Sequence, residues 1–148
     1  MNSHPYLRAF LAGVFVPTLV LPVLLVVFII VRLVLKEPVP IERGIVFPMA
    51  LVPVVWALWN MLWLRSNVRT RLSLGFHGAL LPLLLLPAGA VLATSLGILQ
   101  LGGSGVTWFQ TFFVPYVAIA PVFLAVLAGY YLVWKHVVGF VNRTLGIA

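Results

Sequence analysis

Charged residues divide this chain into long apolar stretches. The three longest uncharged stretches are residues 9–31, 44–64 and 72–134, of 23, 21 and 63 residues. A transmembrane helix needs about 20 apolar residues, so the longest stretch holds two helices and a turn. The run Gly102-Gly103-Ser104-Gly105 marks that turn. The pattern predicts an all-α integral membrane protein, an antiparallel bundle of four transmembrane helices at about 8–34, 44–64, 74–99 and 109–134.

Prolines recur in pairs within these predicted helices. Proline removes a backbone N–H and clashes with the carbonyl four residues earlier, so we predict helix kinks at the pairs. The eight prolines, spaced five or six residues apart within a pair, are Pro17 and Pro22, Pro48 and Pro53, Pro82 and Pro87, and Pro115 and Pro121. The residues four positions before each first proline are Gly13, Gly44, Gly78 and Thr111. The recurrence indicates either a duplicated helical hairpin or the ordinary frequency of Gly and Pro in membrane helices.

Composition agrees with a single transmembrane domain over residues 1–148. The chain is 64% hydrophobic and 7% charged, whereas soluble domains are about 25% charged. It has no cysteine, which excludes disulfides and thiolate metal sites. The net charge of +7 is spread between apolar stretches. Nucleic-acid binders concentrate their charge on one face, so we expect no nucleic-acid partner.

The basic residues predict an orientation. One side would carry six of them: Arg8, Arg65, Arg69, Arg71, Lys135 and Arg143. The other side would carry Arg32, Lys36 and Arg43, beside the only acidic residues, Glu37 and Glu42. Basic residues accumulate on the cytoplasmic side, which predicts that both termini are inside, most simply in a prokaryotic inner (plasma) membrane. Aromatic residues between Trp108 and Tyr116 indicate either an outer interfacial belt or a short interfacial helix.

Candidate chemistry is sparse, because no charged residue lies deep in a predicted helix. Proton relays and coupled transporters place charges there. Trp56, Trp59 and Trp63 form one helical stripe, with Asn60 beside them. The stripe is either an aromatic-walled pocket or a packing surface with one interhelical hydrogen bond.

Histidines and arginines supply the remaining candidates. His4, His77 and His136 all fall on the predicted inner side, and His77 and His136 are the candidate cofactor ligands. No histidine pair has i, i+4 spacing, so the alternative is an interfacial role, and we predict no metal or cofactor. The basic residues Arg65, Arg69, Arg71 and Lys135 are predicted to attract anionic lipid headgroups.

Small residues predict how the third and fourth helices pack. Two stripes have four-residue spacing: Gly89, Ala93 and Gly97, and Pro121, Ala125 and Gly129. Such faces let helices approach closely, so we expect the two helices to meet along them.

Three function classes follow. The first is a small polytopic membrane protein without its own catalysis, acting as an accessory or scaffolding subunit or a lipid-interacting module. Its partners would be lipids with anionic inner-face headgroups, other membrane subunits or further copies of itself. The second is an oligomeric channel or transporter for a neutral or apolar solute, with a polar cavity between the proline kinks. The third is a membrane enzyme or haem protein that uses His77, His136 and Asn60.

Overall fold

The computed structural model describes residues 4–36 and 47–147. Gly44 and the loop residues 37–43 lie outside these ranges. The described residues are mostly helical, with a short three-stranded sheet. Helix α1 (Pro5–Ile29) continues as a first π-helical segment (Ile30–Val34). Helices α2 (Phe47–Thr70) and α3 (Leu74–Ser95) follow. Helix α4 (Tyr116–Leu132) continues through a second π-helical segment (Val133–Val138) into α5 (Gly139–Thr144). The strands are β1 (Leu99–Leu101), β2 (Gly105–Trp108) and β3 (Phe112–Pro115).

Four helical stretches among the described residues are long and apolar enough to cross a membrane. They are Pro5–Val34, Met49–Asn67, Leu74–Ser95 and Tyr116–Thr144. The four predicted helices are therefore present. The fourth differs most in position, because it begins at Tyr116 rather than 109 and continues to Thr144 rather than 134.

A β-meander occupies the segment where the start of the fourth helix was expected. Strands β1, β2 and β3 pair antiparallel in sequence order, with Leu99 opposite Trp108 and Trp108 opposite Phe112. Aromatic and β-branched residues favour strands, and the residue before a proline avoids the helical region. Val114 accordingly lies in β3, and Pro115 itself has extended geometry and precedes α4 as its N-cap. The alternative of a short interfacial helix in this segment is wrong.

The end of α3 explains the chain's entry into this meander. Gly97 adopts φ +69°, the left-handed conformation that glycine accepts without steric cost. The Ile98 N–H donates to the Ala93 carbonyl at 2.8 Å, and the Gly97 N–H to the Thr94 carbonyl at 3.0 Å. These two bonds form a Schellman cap. Gly97 therefore ends α3 and is not part of a helix-packing stripe.

The helix ends carrying most of the basic residues meet at one end of the molecule. An Arg8 Nη1–H donates to the Leu145 carbonyl at 3.2 Å, which joins the start of α1 to the end of α5. The Trp63 Nε1–H donates to the Leu72 carbonyl at 3.3 Å, which joins the end of α2 to the residues before α3. We call this the cationic end, with six basic residues: Arg8, Arg65, Arg69, Arg71, Lys135 and Arg143.

The buried core lies towards the cationic end. Its largest members are Trp56, Leu81, Trp134 and Val138, from α2, α3 and the second π-helical segment. No residue of α4 between Tyr116 and Leu132 is buried. A second, smaller cluster under the meander contains Ala93, Ile98, Leu99 and Val106. Away from the cationic end, the helices therefore expose mainly apolar side chains.

The prolines occupy two kinds of position. Six lie inside α-helices: Pro17, Pro22, Pro53, Pro82, Pro87 and Pro121. Pro48 is the second described residue of α2, and Pro115 lies outside α4. Thr111 is in the turn between β2 and β3, so the fourth copy of the sequence unit differs in conformation from those at Gly13 and Gly78.

Candidate functional site

The tryptophan stripe of α2 faces the core. The Trp56 ring centroid lies 5.2 Å from that of Tyr130 and 5.3 Å from that of Trp134. Trp63 is 6% exposed, and its indole N–H bonds to the backbone before α3. The stripe therefore packs α2 against the second half of the chain.

Asn60 forms a buried amide pair with Asn142 of α5. Its Nδ2 donates to the Asn142 Oδ1 at 2.9 Å, and the Asn142 Nδ2 donates to the Asn60 Oδ1 at 3.1 Å. Asn60 Nδ2 also donates to the Ala9 carbonyl at 2.8 Å, which adds α1 to the contact. Both side chains are 0% exposed. The pair thus connects three helices, with its donors directed at protein rather than at an open cavity.

His77 and Trp59 form a second reciprocal contact, between α3 and α2. The Trp59 Nε1–H donates to the His77 carbonyl at 2.8 Å, and the His77 Nε2 lies 3.0 Å from the Trp59 carbonyl. A carbonyl only accepts, so Nε2 carries the hydrogen. The two rings stack with centroids 4.9 Å apart. This ring nitrogen is therefore occupied in joining two helices.

The structure shows no contact between His77 and His136. His136 is exposed in the second π-helical segment, whereas His77 is buried beside Trp59 and Trp134. His4 is exposed at the start of α1. Among the described residues, no group of three or more His, Cys, Asp or Glu side chains is placed to hold a metal ion.

Two glycines that precede prolines sit at close helix contacts. A Cβ on Gly13 would lie 2.6 Å from the Ala57 Cα, and a Cβ on Gly78 would lie 2.0 Å from the Trp134 ring. Real Cβ atoms do not approach other atoms this closely. Gly13 and Gly78 therefore face neighbouring helices at these points.

The predicted small-residue faces of α3 and α4 do not form the contact between them. A Cβ on Gly89, Gly97 or Gly129 would meet nothing within 4 Å, and Pro121 and Ala125 are exposed. Ala93 is buried, but in the cluster under the meander. That prediction is wrong because the helices pair a small residue with a large one, Gly78 with Trp134, at the cationic end.

The second π-helical segment aligns two rows of side chains. Tyr130, Trp134, Val138 and Asn142 are spaced four residues apart, and the last three are buried. An α-helix turns about 100° per residue, so twelve residues would rotate the last member about 120° from the first. One extra residue in a π-helical turn reduces this offset to about 20°. The segment therefore keeps both Trp134 and Asn142 on the core side.

A second row, one position further along, lines a cavity at the cationic end. Its members are Tyr131, Lys135, Gly139 and Arg143, and the opposite wall comprises Trp63, Ser73, Leu74 and Gly75. The cavity volume is about 190 Å³. The absence of a side chain at Gly75 lets the Tyr131 ring pack against α3, since a Cβ at Gly75 would lie 2.8 Å from that ring. We call this the basic cavity, and none of the eight prolines is among its lining residues.

The predicted lipid-contacting residues divide into two groups. All four are exposed, but Lys135 lines the basic cavity, whereas Arg65, Arg69 and Arg71 do not. Sequence reasoning included Arg143 with Lys135 among the inner basic residues that attract anionic headgroups, but it did not identify Ser73, Gly75, Tyr131 or Gly139 as site residues. The four-residue spacing from Tyr131 to Arg143 was the available signal, but the predicted helix ended at 134.

The basic cavity can attract an anion, but the described residues give it no acid–base pair. Its charged lining groups are the Lys135 ammonium and the Arg143 guanidinium. The only carboxylate side chains of the sequence, at positions 37 and 42, lie outside the described residues. Neither family models, nor curated proteins, nor solved structures match this chain.

Proposed function

We propose that this protein is a non-catalytic integral membrane module that binds anionic lipid at its cationic end. The observation that carries the proposal is the imbalance of charge there: six basic residues, and no acidic residue in the described chain. Anionic headgroups attract basic residues near the membrane surface by about 1 kcal/mol each. In this proposal the cationic end lies at the cytoplasmic face, with both termini inside.

The uses of the buried polar side chains support a role without catalysis. The buried polar residues of the described chain are Asn60, His77 and Asn142. All three bond to other helices at 2.8–3.1 Å. Polar groups committed in this way stabilise helix association. An acid–base residue would instead need to reach a substrate.

The close contacts at Gly13 and Gly78 also support a non-catalytic module, because they argue against a solute route at Pro17 and Pro82. Both sites are filled by atoms of neighbouring helices. A transport pathway through broken helices needs freed backbone groups that line a cavity.

Lipid co-purification tests the proposal. The protein is extracted in a mild non-ionic detergent, and its retained lipids are compared by mass spectrometry with the lipids of the source membrane. We expect anionic phospholipids to be enriched over zwitterionic ones, and raised ionic strength to reduce the enrichment. Retained lipids that match the bulk composition would refute lipid recognition and favour a purely scaffolding subunit.

A further inference from the structure

Lys135 and Arg143 converge on the basic cavity without any anion of the described chain to balance them. Neither side chain has a hydrogen bond or an ion pair within the described residues. The Lys135 Nζ lies 5.5 Å from the centre of the Tyr131 ring, which is a cation–π contact. Two like charges beside one cavity repel each other. An anion between them would relieve that repulsion and supply the missing partner.

The backbone around the cavity keeps the two cations on one side and leaves space between them. The second π-helical segment aligns Lys135 with Arg143, two turns apart on one row. Between them stands Gly139, where a Cβ would lie 3.4 Å from the Leu74 Cδ2 and 3.6 Å from an Arg143 Nη1. The cavity of about 190 Å³ is several times the roughly 30 Å³ share of one water molecule. It has room for a tetrahedral oxyanion.

The other lining groups suit a ligand at a membrane surface. Trp63 and Tyr131 contribute aromatic rings with a polar edge, which favour the headgroup level. The guanidinium of Arg143 has planar donors that match phosphate oxygens, and the Lys135 ammonium adds a compact charge. Polar and aromatic groups are thus present on the same walls.

We propose that the basic cavity binds a phosphate group, with Lys135 and Arg143 as its cationic ligands. This inference rests on the proposed function and assigns its anion recognition to one site. The phosphate is carried by an anionic phospholipid or by a free phosphate ion, and the experiment separates these sources.

Native mass spectrometry of the purified full chain tests the site. The protein is titrated with dioctanoyl phosphatidic acid, and with dioctanoyl phosphatidylcholine as the zwitterionic comparison. The variant Lys135→Gln/Arg143→Gln is compared with Arg65→Gln/Arg69→Gln, which removes the same charge at the same end from positions that do not line the cavity. We expect the cavity variant to lose about tenfold more affinity for phosphatidic acid than the control variant, because only the cavity pair would donate hydrogen bonds to a phosphate in the cavity.

A variant that keeps the net charge tests whether binding needs the space inside the cavity as well as its two cations. Gly139→Leu fills the space between the cations and keeps the net charge, so we expect a similar loss of binding. Circular dichroism in the same detergent verifies that each variant is folded. If Gly139→Leu is folded and binds like the wild type, the cavity assignment is overturned.

The outcomes distinguish this inference from the proposed function. Equal losses in both double variants would overturn the cavity site and leave general anionic-lipid binding intact. Equal wild-type affinity for phosphatidic acid and phosphatidylcholine would overturn both. Displacement of phosphatidic acid by an equal concentration of inorganic phosphate would support the site and identify the phosphate ion alone as sufficient.

Discussion

The amide pair of Asn60 and Asn142 is a point at which single side chains contribute to the stability of this apolar molecule. Interhelical hydrogen bonds in membranes contribute about 0.6–2 kcal/mol each. We predict that Asn60→Leu and Asn142→Leu each lower the free energy of unfolding by about 1–2 kcal/mol. The double variant should lose less than the sum, because either change already breaks the pair.

An SDS titration followed by tryptophan fluorescence measures these free energies. Asn67→Leu is the matched control, since Asn67 lies later on α2 and its side chain makes no hydrogen bond within the described residues. Strictly additive losses for Asn60→Leu and Asn142→Leu would show that the amide contact is not formed.

Gly78 and Gly89 differ in what surrounds them, although both lie in α3. We predict that Gly78→Ala lowers the free energy of unfolding by about 2 kcal/mol or more, since the new methyl group overlaps Trp134. Gly89→Ala meets nothing within 4 Å. It should raise stability by up to about 1 kcal/mol, through the higher helix propensity of alanine. The same titration measures both, and a Gly78→Ala protein as stable as wild type would contradict the packing.

Sequence reasoning at the residue scale succeeded where local spacing was sufficient. The tryptophan stripe of α2 was visible from its period, and an interhelical hydrogen bond at Asn60 was one of the two interpretations. The partner of Asn60 was not visible, because Asn142 is 82 residues away and the predicted fourth helix ended before it. Gly78 was noticed for its position before Pro82, whereas its large neighbour, Trp134, is set by the tertiary packing.

At the scale of elements, the second π-helical segment determines which residues of the last helix face inward. We predict that deletion of His136, an exposed residue within the segment, is tolerated. Loss of one residue lets the wide turn revert to an α-helical turn and leaves the flanking helices in register. The melting temperature should fall by no more than about 3 °C, which corresponds to about 1 kcal/mol for a chain of this length.

Deletion of Phe140 is the control for that experiment. Phe140 is also exposed, but it lies in α5 beyond the π-helical segment. Its removal rotates Asn142 by about 100° away from Asn60. A thermal melt should show a clear loss of stability for this variant alone. Equal losses for the two deletions would refute the role assigned to the π-helical turn.

Hydrophobicity predicted the number of membrane helices and not all of their limits. The segment from Phe109 to Pro115 is uncharged and contains three phenylalanines, so hydropathy alone could not separate strand β3 from the start of α4. The decisive features were conformational: a left-handed Gly97 and an extended Pro115. The continuation of the last helix to Thr144 passes through Lys135, which had been taken as a boundary marker.

For the whole molecule, the proposed orientation gives a direct prediction. The chain contains no cysteine, so single cysteines can be introduced without a background. Gly103→Cys, in the turn between β1 and β2, should react with a membrane-impermeant maleimide in intact cells. Arg71→Cys, at the cationic end, should react only after permeabilisation, because basic residues favour the cytoplasmic side. Labelling of Arg71→Cys in intact cells would contradict the proposed orientation.

The polar contacts of α2 also have a consequence for biogenesis. Asn60 and Trp59 join the α1–α2 hairpin to the later helices, and each hairpin already has its own internal contacts, at Gly13 with Ala57 and at Gly78 with Trp134. We therefore expect the two hairpins to enter the bilayer one after the other and to dock afterwards. A chain weakened at Asn60 should insert normally and undock more often, which would expose it to membrane quality-control proteases before any loss of insertion became visible.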